Sequence, residues 1–176
     1  AVALMRAHGD TAGPAAYYPA LLSLRLDAVQ RKQRAAELNE EVVAPVLQLA
    51  IDAAKAMKDE PLDAVHIVSR CLKAVPNTMC PGLRVELMQQ QAKLRTAAKQ
   101  FADAEKVLDE ALELPVQLTG LQRAGLLADL AEVMHAAGNH DGARMQLIEA
   151  LRSVPQNELT PAFLYERMLL LGTLSL

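Results

Sequence analysis

The chain has no tryptophan, three tyrosines and two phenylalanines, so aromatics make up only 3% of its 176 residues. That scarcity speaks against two classes. Sheet proteins rely on aromatic and β-branched side chains to cover a pleated surface, and single-stranded nucleic-acid binders need rings on which bases stack. An excess of basic charge is missing too: 18 Lys and Arg against 21 Asp and Glu leave a formal net charge of −3. The best basic stripe, Arg31-Lys32-Gln33-Arg34, is followed by Glu37, Glu40 and Glu41. Compensated in this way, it reads as a solvated helix face. No nucleic-acid partner is expected.

Cysteine is nearly absent. Cys71 and Cys80 are nine positions apart with no Cys-x-x-Cys between them, so a disulfide framework is not expected. That usage favours the cytoplasm or another reducing intracellular compartment. Cys80-Pro81 reads as a loop cysteine beside a helix-starting proline rather than as a haem-responsive dipeptide. No apolar run approaches the ~20 residues that a membrane-spanning helix requires, and no membrane span is expected. Ala1–Met5 is too short for a signal core and has no basic flank. Because the chain opens on Ala1 rather than Met, it reads as a processed form or a piece of a longer protein. Its apolar ending, Leu169–Leu176, reads as a surface that a further element or a partner covers.

Catalytic signatures are missing as well. There is no phosphate-cradling glycine loop and no Gly-x-Ser-x-Gly elbow. Asp59-Glu60 and Glu40-Glu41 fall at predicted helix ends, where capping and exposure account for them. Of the four histidines, His135 and His140 are five apart across a predicted turn, out of the i,i+4 register of a helical metal pair. Packing is expected there, with His140 at the place of a turn-packing aromatic. His66 and Cys71 are out of register too, and His8 lies in a loose lead-in. No enzyme activity, catalytic residue, cofactor or metal is expected.

What the chain does have is Ala and Leu, which dominate an apolar fraction of 52%. Neither has a branched Cβ that loses rotamer freedom in a helix, so composition favours an all-α protein. Three segments superimpose. They are Ala64, Val68, Cys71, Leu72, Pro76; then Ala104, Leu108, Ala111, Leu112, Pro115; then Ala143, Leu147, Ala150, Leu151, Pro155. Offsets of four, three and one keep these positions on one side of a helix. The small residues admit a close neighbour, the aliphatics fill the gap, and the proline stops the helix. Each segment follows a short turn: Lys58–Pro61, Ala98–Phe101 and Gly138–Asp141. An amphipathic run precedes each turn, over about 46–57, 83–97 and 121–137.

In this pattern the chain resembles the tetratricopeptide repeat family. The third unit matches best: Leu127, Leu130-Ala131 and Met134 stand where the family places Trp, Leu-Gly and Tyr, and Ala143, Leu147, Ala150 and Pro155 follow in the second helix. The spacings Ala64 to Ala104 (40) and Ala104 to Ala143 (39) exceed the family's 34 or so, the surplus falling in Asn77–Gly82 and Pro115–Gly120. The resemblance implies an α-solenoid of antiparallel helix-turn-helix hairpins coiled into a right-handed superhelix. The organisation expected is a flexible segment over 1–16 and a repeat domain over 17–176. That domain comprises a long helix 17–41, hairpins at about 44–77, 83–116 and 121–157, and a final helix 160–175 begun by Thr160-Pro161.

The resemblance also implies where a partner lies: on the concave surface formed by the first helix of each hairpin. Its positions here are Glu86, Gln89, Lys93 and Thr96 in the second unit, and Ala128, Glu132, His135 and Ala136 in the third. The first unit adds Val46, Leu49, Ala53 and Met57, although Val46, Leu49 and Met57 are better read as buried against the long helix. Only Lys93 matches the basic clamp with which family members grip chaperone tails, so a helix laid in the groove is the better fit. The function expected is a protein–protein interaction scaffold or adaptor, a segment or subunit of a larger assembly. The alternative is a ligand- or peptide-sensing repeat domain of a signal-responsive regulator.

Overall fold

A computed structural model describes residues 17–154. Within them the chain is all-α, with seven helices and no strand, as the Ala/Leu composition predicts. None of these helices is long and apolar enough to cross a membrane. The chain divides into two compact units, 1–94 and 95–176.

The first unit holds α1 (Tyr18–Arg34), α2 (Glu40–Ala56), α3 (Pro61–Ala74) and most of α4 (Pro81–Ala97). The single helix expected over 17–41 is therefore two. Ala36 adopts a left-handed φ of 56°, and the Glu37 N–H closes back on the Lys32 carbonyl at 2.9 Å, which ends α1. A new helix starts at Asn39, whose side chain accepts the Val42 N–H at 3.1 Å. Glu40 and Glu41 then place negative charge in the first turn, where the helix dipole favours it. An apolar stripe running on through Leu38 and Val42 masks this cap in the sequence. The core collects Leu22, Leu26 and Val29 from α1 and Val43, Val46, Leu47, Ala50 and Ile51 from α2. Ala64, Val68 and Cys71 from α3 and Leu87 from α4 complete it. Val75 takes an extended ψ of 131°, the conformation imposed on a residue before proline, and so α3 ends ahead of Pro76.

The second unit holds the last turn of α4, α5 (Phe101–Leu112), α6 (Gly120–Ala136) and α7 (His140–Ser153). Thr119 and Gln122 form a reciprocal capping box that starts α6, with Gln122 N–H to Thr119 Oγ1 at 3.1 Å and Thr119 N–H to Gln122 Oε1 at 2.9 Å. Three residues join α6 to α7. Gly138 sits at φ 85°, a conformation that favours glycine, and Asn139 caps α7 by accepting the Gly142 N–H at 3.0 Å. Ala124 and Leu127 pack on Ala150 and Val154, with Leu112 beside them, while Ala128 and Ala131 pack on Ala143 and Leu147.

The repeat register is seen in the burial pattern. Ala64, Val68 and Cys71, their counterparts Ala104, Leu108 and Ala111, and Ala143, Leu147 and Ala150 are all at most 1% exposed. The second proline departs from the pattern: α5 stops at Leu112, two residues short of where Pro115 would force it. The lead-in 1–16, the final helix 160–175 and the apolar ending lie outside the described residues.

Candidate interaction surface

In the first unit, Gln48, Asp52 and Lys55 recur on α2 at offsets of four and three, and Glu86, Gln89 and Lys93 on α4 at three and four. Each trio therefore lines one side of its helix. The two helices meet there through an ion pair, Lys55 Nζ donating to Glu86 Oε1 at 2.9 Å with the side chains 52% and 42% exposed. The hydrogen bond it donates to Glu86's carboxylate holds the Lys55 ammonium above its usual pKa. Gln48 Nε2 donates along α2 to Asp52 Oδ1 at 3.1 Å. Val46 and Met57 are buried in the core, as their favoured reading expects, Ala53 is buried with them, and Leu49 is half-buried. Because α2 begins at Glu40, its apolar side faces α1 and its polar side carries the surface.

Two polar side chains that sequence reasoning did not single out lie beneath this surface. Arg84 is 9% exposed. Its Nη1 donates to the Val75 carbonyl at 3.0 Å and its Nη2 to the Leu72 carbonyl at 3.1 Å, covering carbonyls left open at the end of α3. Its Nε is buried without a partner, and burial lowers the guanidinium's pKa from its ordinary value. Gln91 Nε2 donates to Ser69 Oγ at 2.7 Å, tying α4 to α3. The sequence signal for both is a polar residue inside an otherwise inward-facing row, Arg84 between Leu83 and Val85 and Gln91 beside Ala92.

At the end of α1 the basic stripe is satisfied locally. Arg31, Lys32 and Arg34 occupy the last turn, where cations suit the dipole, and Lys32 pairs with Glu37. That hydrogen bond draws the Glu37 carboxyl below its usual pKa. A cleft of about 360 Å³ opens beside them, lined by Ala28, Arg31, Lys32, Ala35 and Glu37.

In the second unit, Glu132 and His135 are exposed on α6, Thr96 is half-buried at the end of α4, and Ala136 is exposed. Ala128 is not on the surface at all; it packs into the core. Arg95 Nη1 donates to Asp103 Oδ2 at 3.0 Å and to Gln100 Oε1 at 3.3 Å, bracing the turn from α4 into α5. The α6–α7 turn brings His135 and His140 together, Nδ1 to Nδ1 at 2.9 Å with ring centroids 4.8 Å apart.

Both cysteines are free and buried. Burial pushes the Cys71 thiol up to about 11, and burial followed by the Glu40 charge raises Cys80. Held as neutral thiols, neither is an activated nucleophile. Among the described residues no three His, Cys, Asp or Glu gather in a metal-holding group.

No family model matches the chain, and no curated protein matches it. Among solved structures it is similar to BtubC (BKLC) from P. vanneervenii, with a TM-score of 0.58 and 13% identity over 93% of this chain and 84% of that one. At that identity the likeness is one of fold alone.

Proposed function

We propose that the chain is a tetratricopeptide-like helical scaffold that binds a protein or peptide partner, as a segment or subunit of a larger assembly, and that its role is binding rather than catalysis. The observation that carries this reading is the pair of polar rows on α2 and α4, joined by the exposed Lys55–Glu86 ion pair. An ion pair this exposed contributes little to stability, so a partner presenting its own charges replaces it at little cost. The buried triplets beneath, Ala64, Val68 and Cys71 among them, support a stiff base for that surface. A reducing intracellular setting fits the two free thiols.

The test is capture of partners from a native extract with the intact chain, followed by mass identification. Lys55→Glu and Glu86→Lys are then compared with the double swap. Each single reversal should leave the melting temperature close to the parent's and sharply reduce what is captured. The swap should restore the internal pair but not the binding. A specific partner held equally by all three variants would move the interface off this surface, and an intact chain that captures no specific protein would end the scaffold reading.

A further inference from the structure

We propose that His135 and His140 form a chelating pair for a late first-row divalent transition ion, Cu²⁺ or Ni²⁺, bound through both Nδ1 atoms at the α6–α7 turn. The turn itself fixes the spacing. The Gly138 N–H closes on the His135 carbonyl at 2.9 Å and the Asn139 N–H on the Met134 carbonyl at 2.8 Å, while Asn139 caps the next helix. His135, in the last turn of α6, and His140, first in α7, are thus held on backbone with little freedom. Both side chains are exposed, so an ion has an open approach and each ring is free to turn.

Donor type and spacing suit the ion. Two nitrogens 2.9 Å apart, each at ~2.05 Å from a metal, subtend about 90° at it. That is the cis angle of a tetragonal or octahedral centre, which Cu²⁺ and Ni²⁺ prefer with nitrogen donors. Among the described residues no third His, Cys, Asp or Glu joins the pair, so water fills the remaining positions.

The proton count is simple. Without the ion, one ring's Nδ1–H donates to the other's Nδ1. On binding, the donor ring's proton moves through solvent from Nδ1 to Nε2, and both Nδ1 lone pairs turn to the ion. Two neutral rings remain neutral and no net proton is released.

The experiment uses the full chain freed of any purification tag. CuSO₄ or NiCl₂ is titrated in by calorimetry, and Cu²⁺ electron paramagnetic resonance reports the nitrogen ligands. The expected result is one ion per chain with two imidazole nitrogens, and a raised melting temperature. His135→Ala and His140→Ala should each weaken binding about tenfold or more, while His66→Ala leaves it unchanged. Melting of the metal-free variants checks that they remain folded. Binding that survives either substitution at the pair, or no binding of either ion by the intact chain, would overturn the proposal. Neither result bears on the scaffold reading.

Discussion

The Cys80 backbone N–H donates to Glu40 Oε1 at 3.0 Å across 40 residues of sequence, so the carboxylate that opens α2 also secures the loop that opens α4. Cys80 holds a left-handed φ of 49°, a conformation that costs a non-glycine residue roughly 1–2 kcal/mol, and the bond to Glu40 offsets part of it. Glu40→Ala removes this bond together with a first-turn negative charge. A loss of about 1–2 kcal/mol in urea unfolding is expected. A variant as stable as the parent would show that the loop needs no such tether.

Arg84 should be the most sensitive polar position in the first unit. Its two bonds to the Val75 and Leu72 carbonyls cover the end of α3, and their donor is charged. Arg84→Met keeps much of the packing volume but leaves those carbonyls open, with an expected loss of about 2–4 kcal/mol. Arg84→Lys should recover only part of it, because an ammonium lacks the planar fork that reaches two carbonyls at once. Equal stability of the Lys variant and the parent would contradict this account.

Small residues at the repeat positions are there because neighbouring helices leave no room for more. Ala104 and Ala143 are both fully buried. Ala104→Leu and Ala143→Leu should each destabilise by about 1–3 kcal/mol through overpacking. The exposed Ala136→Leu should stay within about 0.5 kcal/mol. Denaturant midpoints of the three variants decide the matter, and a neutral Ala143→Leu would argue against close packing at that seam.

Alkaline pH should weaken the fold through Cys71. Its thiol is pushed up to about 11 by burial, against about 8.5 for an unfolded cysteine. Over that window the native chain holds the proton more tightly than the unfolded chain does. The contribution is therefore fully present below about pH 8.5 and is lost as pH rises through about 11, amounting to roughly 3 kcal/mol at the upper end. The fall in stability between these limits, followed by urea titration, should flatten in Cys71→Ala. An unchanged pH slope in that variant would assign the effect to other groups.

Much of the fold was legible because burial on helices repeats with their own period. The offsets joining Ala64, Val68 and Cys71, and their two counterparts, picked out the buried side of α3, α5 and α7, and the Thr119 and Asn139 caps lie where the turns were expected. The break between α1 and α2 was harder to read. Leu38 and Val42 continue an apolar stripe, and only the cap at Asn39 betrays a new start. On the candidate surface, Glu86 and Lys93 were found as polar positions on a first helix, but Lys55, the cation that pairs with Glu86, was not.

By itself the amino-acid sequence determined the helical class, the buried side of each repeat helix, the stop ahead of Pro76 and the capped starts at Thr119 and Asn139, because these depend on residues within a turn or two of one another. Only the tertiary structure decided that Lys55 meets Glu86, that Arg84 covers carbonyls at the end of another helix, and that Cys80 hangs on Glu40. Those contacts join residues 9 to 40 positions apart. Local periodicity says which side of a helix is apolar; which helix it meets, and at what height, is settled by packing the whole unit.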